Sequence, residues 1–182
     1  MVYLFLAEGF EEIEALCVLD LLRRNKVETK TVGVTGKTVN GSHNIPVICD
    51  VTENELNIND SFDMIILPGG LPGSDNLHAS TVVDAFIKKA NEENKFICAI
   101  CAAPYVLGVR GILKGKKATC YPGFQDKLEG ATYVNECVVR DGKIITGRAM
   151  GSATDFALEI IEALLGKEAR EKTRASIIYN AQ

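Results

Sequence analysis

Lys95-Phe96-Ile97-Cys98-Ala99-Ile100-Cys101-Ala102-Ala103-Pro104-Tyr105-Val106-Leu107 is the stretch whose reading decides the fold. Its first half is a continuous apolar run of strand length, and its second half reads as the start of a helix. An apolar run without polar alternation belongs to a strand covered on both faces, the pattern of a parallel sheet between helices. Cys101 falls on the turn between the two. A helix N-terminus supplies free N–H groups and roughly half a positive charge, which favour thiolate over thiol. A sharp strand-to-helix turn also lifts its side chain out of the sheet, as in nucleophile elbows. A buried cysteine acting as a small hydrophobe is the competing reading of this position.

Outward from that point, strand and helix patterns alternate. Val2–Leu6 is a short apolar run, and residues 11–25 follow as a helix closing on Arg23-Arg24, which suits the negative end of its dipole. Residues 27–34 alternate as a strand, 36–41 form a turn region, and 45–51 make another short strand. Residues 62–67 are a buried strand stopped by Pro68-Gly69-Gly70, and Ser80 caps a helix running to residue 91. A short helix over 102–108 follows the elbow, then a strand at 117–120. Asp141-Gly142 is a two-residue hairpin signal between strands at 136–139 and 143–146. An amphipathic helix covers 152–165, with Ser152 as N-cap and Asp155 as its partner, and a last helix covers about 167–175. This order predicts an α/β fold, a mostly parallel sheet with helices on both faces. The length of 182 residues suits a single domain spanning 1–182.

Composition narrows the function classes. Hydrophobic residues make up 47% and charged residues 24%, enough for a sizeable core. The formal net charge of −4 leaves no basic stripe for nucleic acid or an anionic membrane. No apolar run approaches a membrane span, and Val2-Tyr3-Leu4-Phe5-Leu6 is too short for the core of a signal peptide. The expected compartment is therefore the cytosol (cytoplasmic), where the six cysteines, Cys17, Cys49, Cys98, Cys101, Cys120 and Cys137, stay reduced. Cys98 and Cys101 share a CxxC spacing, but strand residues three apart point to opposite faces at about 10 Å, too far for a disulfide. A zinc site lacks a second ligand pair in a chain with two histidines, so no metal is expected.

In sheets of this kind, function gathers at the carboxyl ends of the strands. Three segments fall there: 8–14 after the first strand, 68–74 after 62–67, and Cys101. Glu14 has Cys17, Val18 and Leu21 at helical spacing after it, so its carboxyl lies on an apolar stripe. There its pKa is raised, and the protonated acid can donate a hydrogen bond to a thiolate. A carboxyl that snorkels to the rim is the other reading. Glu11 and Glu12 are expected to be solvated, in a first turn where the dipole favours them. Gly69-Gly70 lets the backbone approach a ligand and present N–H groups, as an oxyanion hole requires.

The segments Glu8-Gly9-Phe10-Glu11-Glu12-Ile13-Glu14, Ile66-Leu67-Pro68-Gly69-Gly70 and Ala99-Ile100-Cys101-Ala102-Ala103-Pro104 carry a family likeness, joined later by Gly147-Arg148 and Gly151-Ser152-Ala153-Thr154-Asp155-Phe156-Ala157. Through nearly its whole length the chain resembles the ThiJ/PfpI superfamily, in its Parkinson-associated DJ-one branch. The resemblance implies a flavodoxin-like three-layer sandwich that forms homodimers. It implies that Cys101 is a reactive, easily oxidised cysteine, and that Glu14 is its hydrogen-bonding partner, protonated when the cysteine ionises. Gly69, Gly70 and the backbone at Ala102 would supply oxyanion contacts. Cys49 looks like the branch's cysteine near the two-fold axis, with Arg23 and Arg24 close by.

One position departs from that pattern. Where the branch's best-known members place a histidine beside the cysteine, Tyr121 stands here, within Thr119-Cys120-Tyr121-Pro122-Gly123. Tyrosine, with a pKa of about 10, is a poorer general base than imidazole. Neither His43 nor His78 is an evident replacement, so a Cys-Glu dyad is expected and a Cys-His-Asp protease triad is not. Cys120 would act as a resolving thiol for oxidised Cys101 if its loop folds over the elbow. Members of the family are described as glyoxalases and deglycases that need no cofactor. The function implied is thus conversion of 2-oxoaldehydes such as methylglyoxal to hydroxy acids, or removal of early glycation adducts, with a small reactive carbonyl as substrate. The alternative is a non-enzymatic redox sensor or stress chaperone acting through oxidation of Cys101.

Overall fold

The computed structural model describes residues 1–179. In chain order its elements are β1 (Val2–Leu6), α1 (Glu12–Arg24), β2 (Thr29–Gly33), β3 (Thr38–Asn40), β4 (Pro46–Ile48), β5 (Val51–Thr52), β6 (Met64–Leu67), α2 (Gly73–Ala79) and α3 (Thr81–Glu92). Then come β7 (Phe96–Ile100), α4 (Pro104–Gly108), β8 (Lys117–Ala118), β9 (Thr132–Tyr133), β10 (Val138–Asp141), β11 (Ile144–Gly147), α5 (Ala153–Leu165) and α6 (Lys167–Ser176). Seven strands form one sheet in the order β10-β11-β7-β6-β1-β2-β5. Its pairings are parallel except for the β10–β11 hairpin at one edge.

β7 is buried along its whole length, as the unbroken apolar run required. Alternate residues of the central strands feed two cores. Tyr3, Phe5, Ile65, Leu67, Ile97 and Ala99 face α3 and α4. Leu4, Leu6, Met64, Ile66, Cys98 and Ile100 face α1 and α5. The result is a three-layer sandwich with helices on both faces of the sheet.

Several boundaries differ from the sequence reading, each for a local reason. The strand expected at 45–51 divides: β4 pairs with β3 in a separate antiparallel hairpin, and β5 joins the main sheet beside β2. The strand at 117–120 keeps two residues, paired in parallel with the unforeseen β9. In the β10–β11 hairpin Asp141 pairs with Ile144, so the two-residue loop is Gly142-Lys143, one position later than expected. Ser152 makes no side-chain cap for α5, because it sits at φ −100°, ψ 5° in a 3-10 turn rather than in the extended cap conformation. Asp155 instead accepts a hydrogen bond from the Tyr179 hydroxyl at 3.0 Å. α2 was not anticipated, since Gly73, Ser74, Asp75 and Asn76 are weak helix formers. Packing of Leu77 and contacts around Asp75 supply what propensity does not.

Candidate active site

β7, β6 and β1 are neighbours, and their carboxyl ends bring Cys101, Gly69-Gly70 and the start of α1 together. The chain runs from β1 outward to β2 and returns on the other side through β6, which makes this the switch point where open α/β sheets bind ligands.

Cys101 occupies the left-handed region at φ 65°, on the turn between β7 and α4. That conformation costs a non-glycine residue roughly 1–2 kcal/mol. Two hydrogen bonds hold it: Cys101 N–H donates to the Gly147 carbonyl at 2.9 Å, and Tyr121 N–H donates to the Cys101 carbonyl at 2.8 Å. The sulfur is half-buried at the floor of a pocket of about 200 Å³, lined also by Gly70, Leu71, Ala102, Tyr121 and Phe124. A larger cleft, about 510 Å³, opens among Met1, Val27, Asn94 and Lys143, with no cysteine or histidine in its wall.

Glu14 reaches the sulfur from α1. Glu11 precedes the helix, and its carboxylate accepts from the Glu14 N–H at 2.6 Å and so caps the first turn. Its buried stripe, Glu14 with Ala15, Val18, Leu21 and Leu22, turns the Glu14 side chain inward, where it is 1% exposed. Glu14 Oε2 accepts from the Gly69 N–H at 2.8 Å. Oε1 is buried with no hydrogen-bond partner, and the Cys101 thiol is the neighbouring group that acts on the carboxyl. Burial pushes the Glu14 carboxyl up to about 7, against the pull of Cys101 and Gly69.

The thiolate expected from the elbow position meets an opposing force. Burial pushes the Cys101 thiol up, and a charged Glu14 pushes it further; the Ala102 and Gly70 N–H groups act in the other direction without prevailing. Two negative charges cannot sit side by side in this site, so above the Glu14 midpoint of about 7 the pair holds one proton, and below it both groups are protonated. A glycine role also changes. The Gly69 N–H is engaged by Glu14 and is not free for an oxyanion, whereas the Gly70 and Ala102 N–H groups face the sulfur.

Tyr121 lies in the pocket wall. Cys120 does not join it. That side chain is fully buried in the core under α3 and α4, and burial raises its thiol to about 11, so the loop covers the elbow while its sulfur points away into the interior. Cys49 is buried beside β4, its thiol raised to about 11 by burial. Arg23 pairs with Asp50 at 2.6 Å and Arg24 with Asp20 at 2.5 Å. His78 contacts Arg110 at 2.8 Å, and His43 contacts Glu12 at 2.9 Å, so neither histidine reaches Cys101.

Glu12 is the residue the sequence reading missed. It is 2% exposed rather than solvated, accepting from the His43 N–H at 2.7 Å and from Ser42 Oγ at 3.2 Å. Ala15 and Leu16 follow Glu12 at helical spacing, but what covers its carboxylate is the Ser42-His43 turn, distant in sequence. Glu11, Glu12 and His43 bring potential metal donors within 4.8 Å, but their oxygens are already occupied by the cap and by this network.

The chain matches the DJ-1/PfpI family over residues 1–163. It belongs to that family. Protein DJ-1 homolog B of Arabidopsis thaliana is 40% identical over 166 residues, covering 89% of this chain and 37% of the relative. The chain thus spans about two fifths of the Arabidopsis relatives' length, 37% and 42%. The glutathione-independent glyoxalase DJR-1.2 of Caenorhabditis elegans is 34% identical over 163 residues, covering 88% of this chain and 86% of the relative. Among solved structures, oxidized Toxoplasma gondii DJ-1 superposes with a TM-score of 0.94 at 35% identity, over 98% of each chain. The DJ-1/PfpI assignment agrees with the parallel sheet and its layers. Among the described residues, no helix is long and apolar enough to cross a membrane.

Proposed function

We propose that this DJ-1/PfpI protein is a cysteine-dependent, cofactor-independent glyoxalase-type enzyme acting on small 2-oxoaldehydes, with deglycation as a related activity. The observation that carries the reading is the buried Glu14 carboxyl set beside Cys101 at an open pocket, with the Glu14 pKa near neutrality at about 7. A general base works best when its pKa lies near the operating pH. Cys101 passes its proton to Glu14 as the sulfur attacks the aldehyde carbon, forming a hemithioacetal whose oxygen lies near the Gly70 and Ala102 N–H groups. Glu14 returns that proton to the hemithioacetal oxygen. Again a carboxylate, it takes the proton from the former aldehyde carbon and delivers it to the neighbouring one, while the hydroxyl proton passes to the second oxygen, leaving a 2-hydroxy thioester. Water hydrolyses that ester, releasing the hydroxy acid and restoring the thiol. The name of the Caenorhabditis relative is consistent with this chemistry.

The test is lactate formation from methylglyoxal. Cys101→Ala abolishes it, and Glu14→Gln lowers kcat by about 10²–10⁴, the usual share of general acid–base catalysis. Wild-type turnover no higher than that of Cys101→Ala would overturn the proposal.

Homodimer formation belongs to the same proposal, and three exposed isoleucines support it: Ile13 on α1 with Ile45 and Ile48 at the β3–β4 hairpin, the last 75% exposed. Ile48→Glu should halve the mass found by sedimentation. A redox-sensor role is favoured by one feature, the Gly70 and Ala102 N–H groups facing the sulfur, which suit sulfinate oxygens. Selective gain of two oxygens at Cys101 under limiting peroxide, without aldehyde turnover, would favour that role over the enzyme.

A further inference from the structure

The pocket wall carries information about the substrate that the dyad does not. Beside the sulfur stand Gly70, Leu71, Ala102, Tyr121 and Phe124, none of them charged. Leu71 and Tyr121 are 52% and 47% exposed, so large carbon surfaces are held in water at the mouth. One tight turn carries both rings: Tyr121 N–H is bonded to the Cys101 carbonyl, and Phe124 N–H donates to the Tyr121 carbonyl at 3.1 Å. One nearby cation, Lys127, is drawn over the Phe124 and Tyr105 rings, its ammonium 5.0 Å and 5.1 Å from their centres. It does not line the pocket.

Building on the function proposed above, we infer that the site selects 2-oxoaldehydes with an aromatic substituent over anionic aldehydes and glycated amino acids, and that Tyr121 and Phe124 determine this specificity. A cavity of about 150 Å³ is enough to hold a benzene ring, and this one is about 200 Å³. A ring entering beside Tyr121 and Phe124 gains offset or edge contacts with them. The carboxylate of an amino-acid adduct would lose water there and meet no charged partner among these side chains.

The experiment reads the pocket without requiring turnover. Cys101 is alkylated with iodoacetamide, iodoacetate and N-benzyl-iodoacetamide, each rate followed by intact mass and divided by the same reagent's rate with free cysteine. The benzyl reagent is expected to outpace iodoacetamide about tenfold, equivalent to about 1.4 kcal/mol, with iodoacetate slowest. Tyr121→Ser and Phe124→Ala should each cut the benzyl advantage several-fold. Equal normalised rates for the benzyl and plain amides, or a benzyl advantage that survives both substitutions, would overturn the inference. Absence of lactate formation would count against the proposed function, whereas the alkylation order alone decides the specificity.

Discussion

Replacing Gly69 with alanine would place a Cβ 2.6 Å from the Cys101 Cβ, 2.6 Å from Glu14 Oε2 and 3.0 Å from the Ile100 carbonyl oxygen. Non-bonded carbons prefer about 3.5–4.0 Å, so roughly 1 Å must be found between β6, β7 and α1. Neither the Cys101 Cβ nor the Ile100 backbone is the free end of a flexible side chain. Gly69 does not have a positive φ, so space and not backbone conformation forbids the methyl. Overpacking of this kind costs about 1–3 kcal/mol. A loss of about 2 kcal/mol lowers Tm by roughly 4–8 °C in a chain of this size. Activity should fall further, because the Gly69 N–H positions Glu14 at 2.8 Å and a shift of about 1 Å at a reacting pair costs about 100-fold. Gly151→Ala is the control, since a Cβ there meets nothing within 4 Å. Thermal melts and kcat/KM on methylglyoxal check both variants. If Gly69→Ala melts and turns over like Gly151→Ala, the steric reasoning is wrong.

Three further outcomes follow from the geometry. Burial opposes ionisation of Glu12, yet hydrogen bonds from His43 and Ser42 outweigh it and hold its pKa below the ordinary value. A lowered carboxylate pKa stabilises the fold above the ordinary glutamate range and ceases to do so as pH falls through the lowered value. The urea-midpoint gap between wild type and Glu12→Gln should therefore close on acidification; a gap independent of pH would contradict this. His43, raised by its hydrogen bond to Glu12, adds stability that is present below its ordinary pKa and lost as pH rises through the raised one, so His43→Ala should cost most in mildly acidic buffer. Arg110 ties three helices through Asp84 at 2.8 Å, the Val106 carbonyl at 2.8 Å and the His78 carbonyl at 2.9 Å. Arg110→Ala should cost about 2 kcal/mol in urea unfolding, within the range for hydrogen bonds to charged groups.

Much of the fold was legible because β7 is apolar throughout and ends at a helix start, a pattern that a doubly covered sheet satisfies. Glu14 was legible for a similar reason, as an acid on an apolar helical stripe. What escaped was set by contacts distant in sequence. Residues 73–79 form a helix against their own propensity because Leu77 and Asp75 find partners in β-sheet core and α4. Glu12 is buried because the Ser42-His43 turn closes over it, and a loop's landing place leaves no periodicity to read. The Gly69 N–H turns to Glu14, not to a ligand, and no glycine motif announces which way its N–H points. The proton balance of Cys101 was likewise hidden, since a turn position suggests stabilisation of the anion while burial depth, known only from packing, opposes it.

The sharing of one proton between Cys101 and Glu14 is tested most directly by the pH dependence of Cys101 alkylation by iodoacetamide in wild type and Glu14→Gln. In wild type the rate should climb with a midpoint near that of Glu14, about 7, as the carboxylate becomes free to take the thiol's hydrogen. In Glu14→Gln that step should vanish, leaving a single rise at more alkaline pH where the buried sulfur ionises unaided. Superimposable profiles for the two proteins would contradict the account.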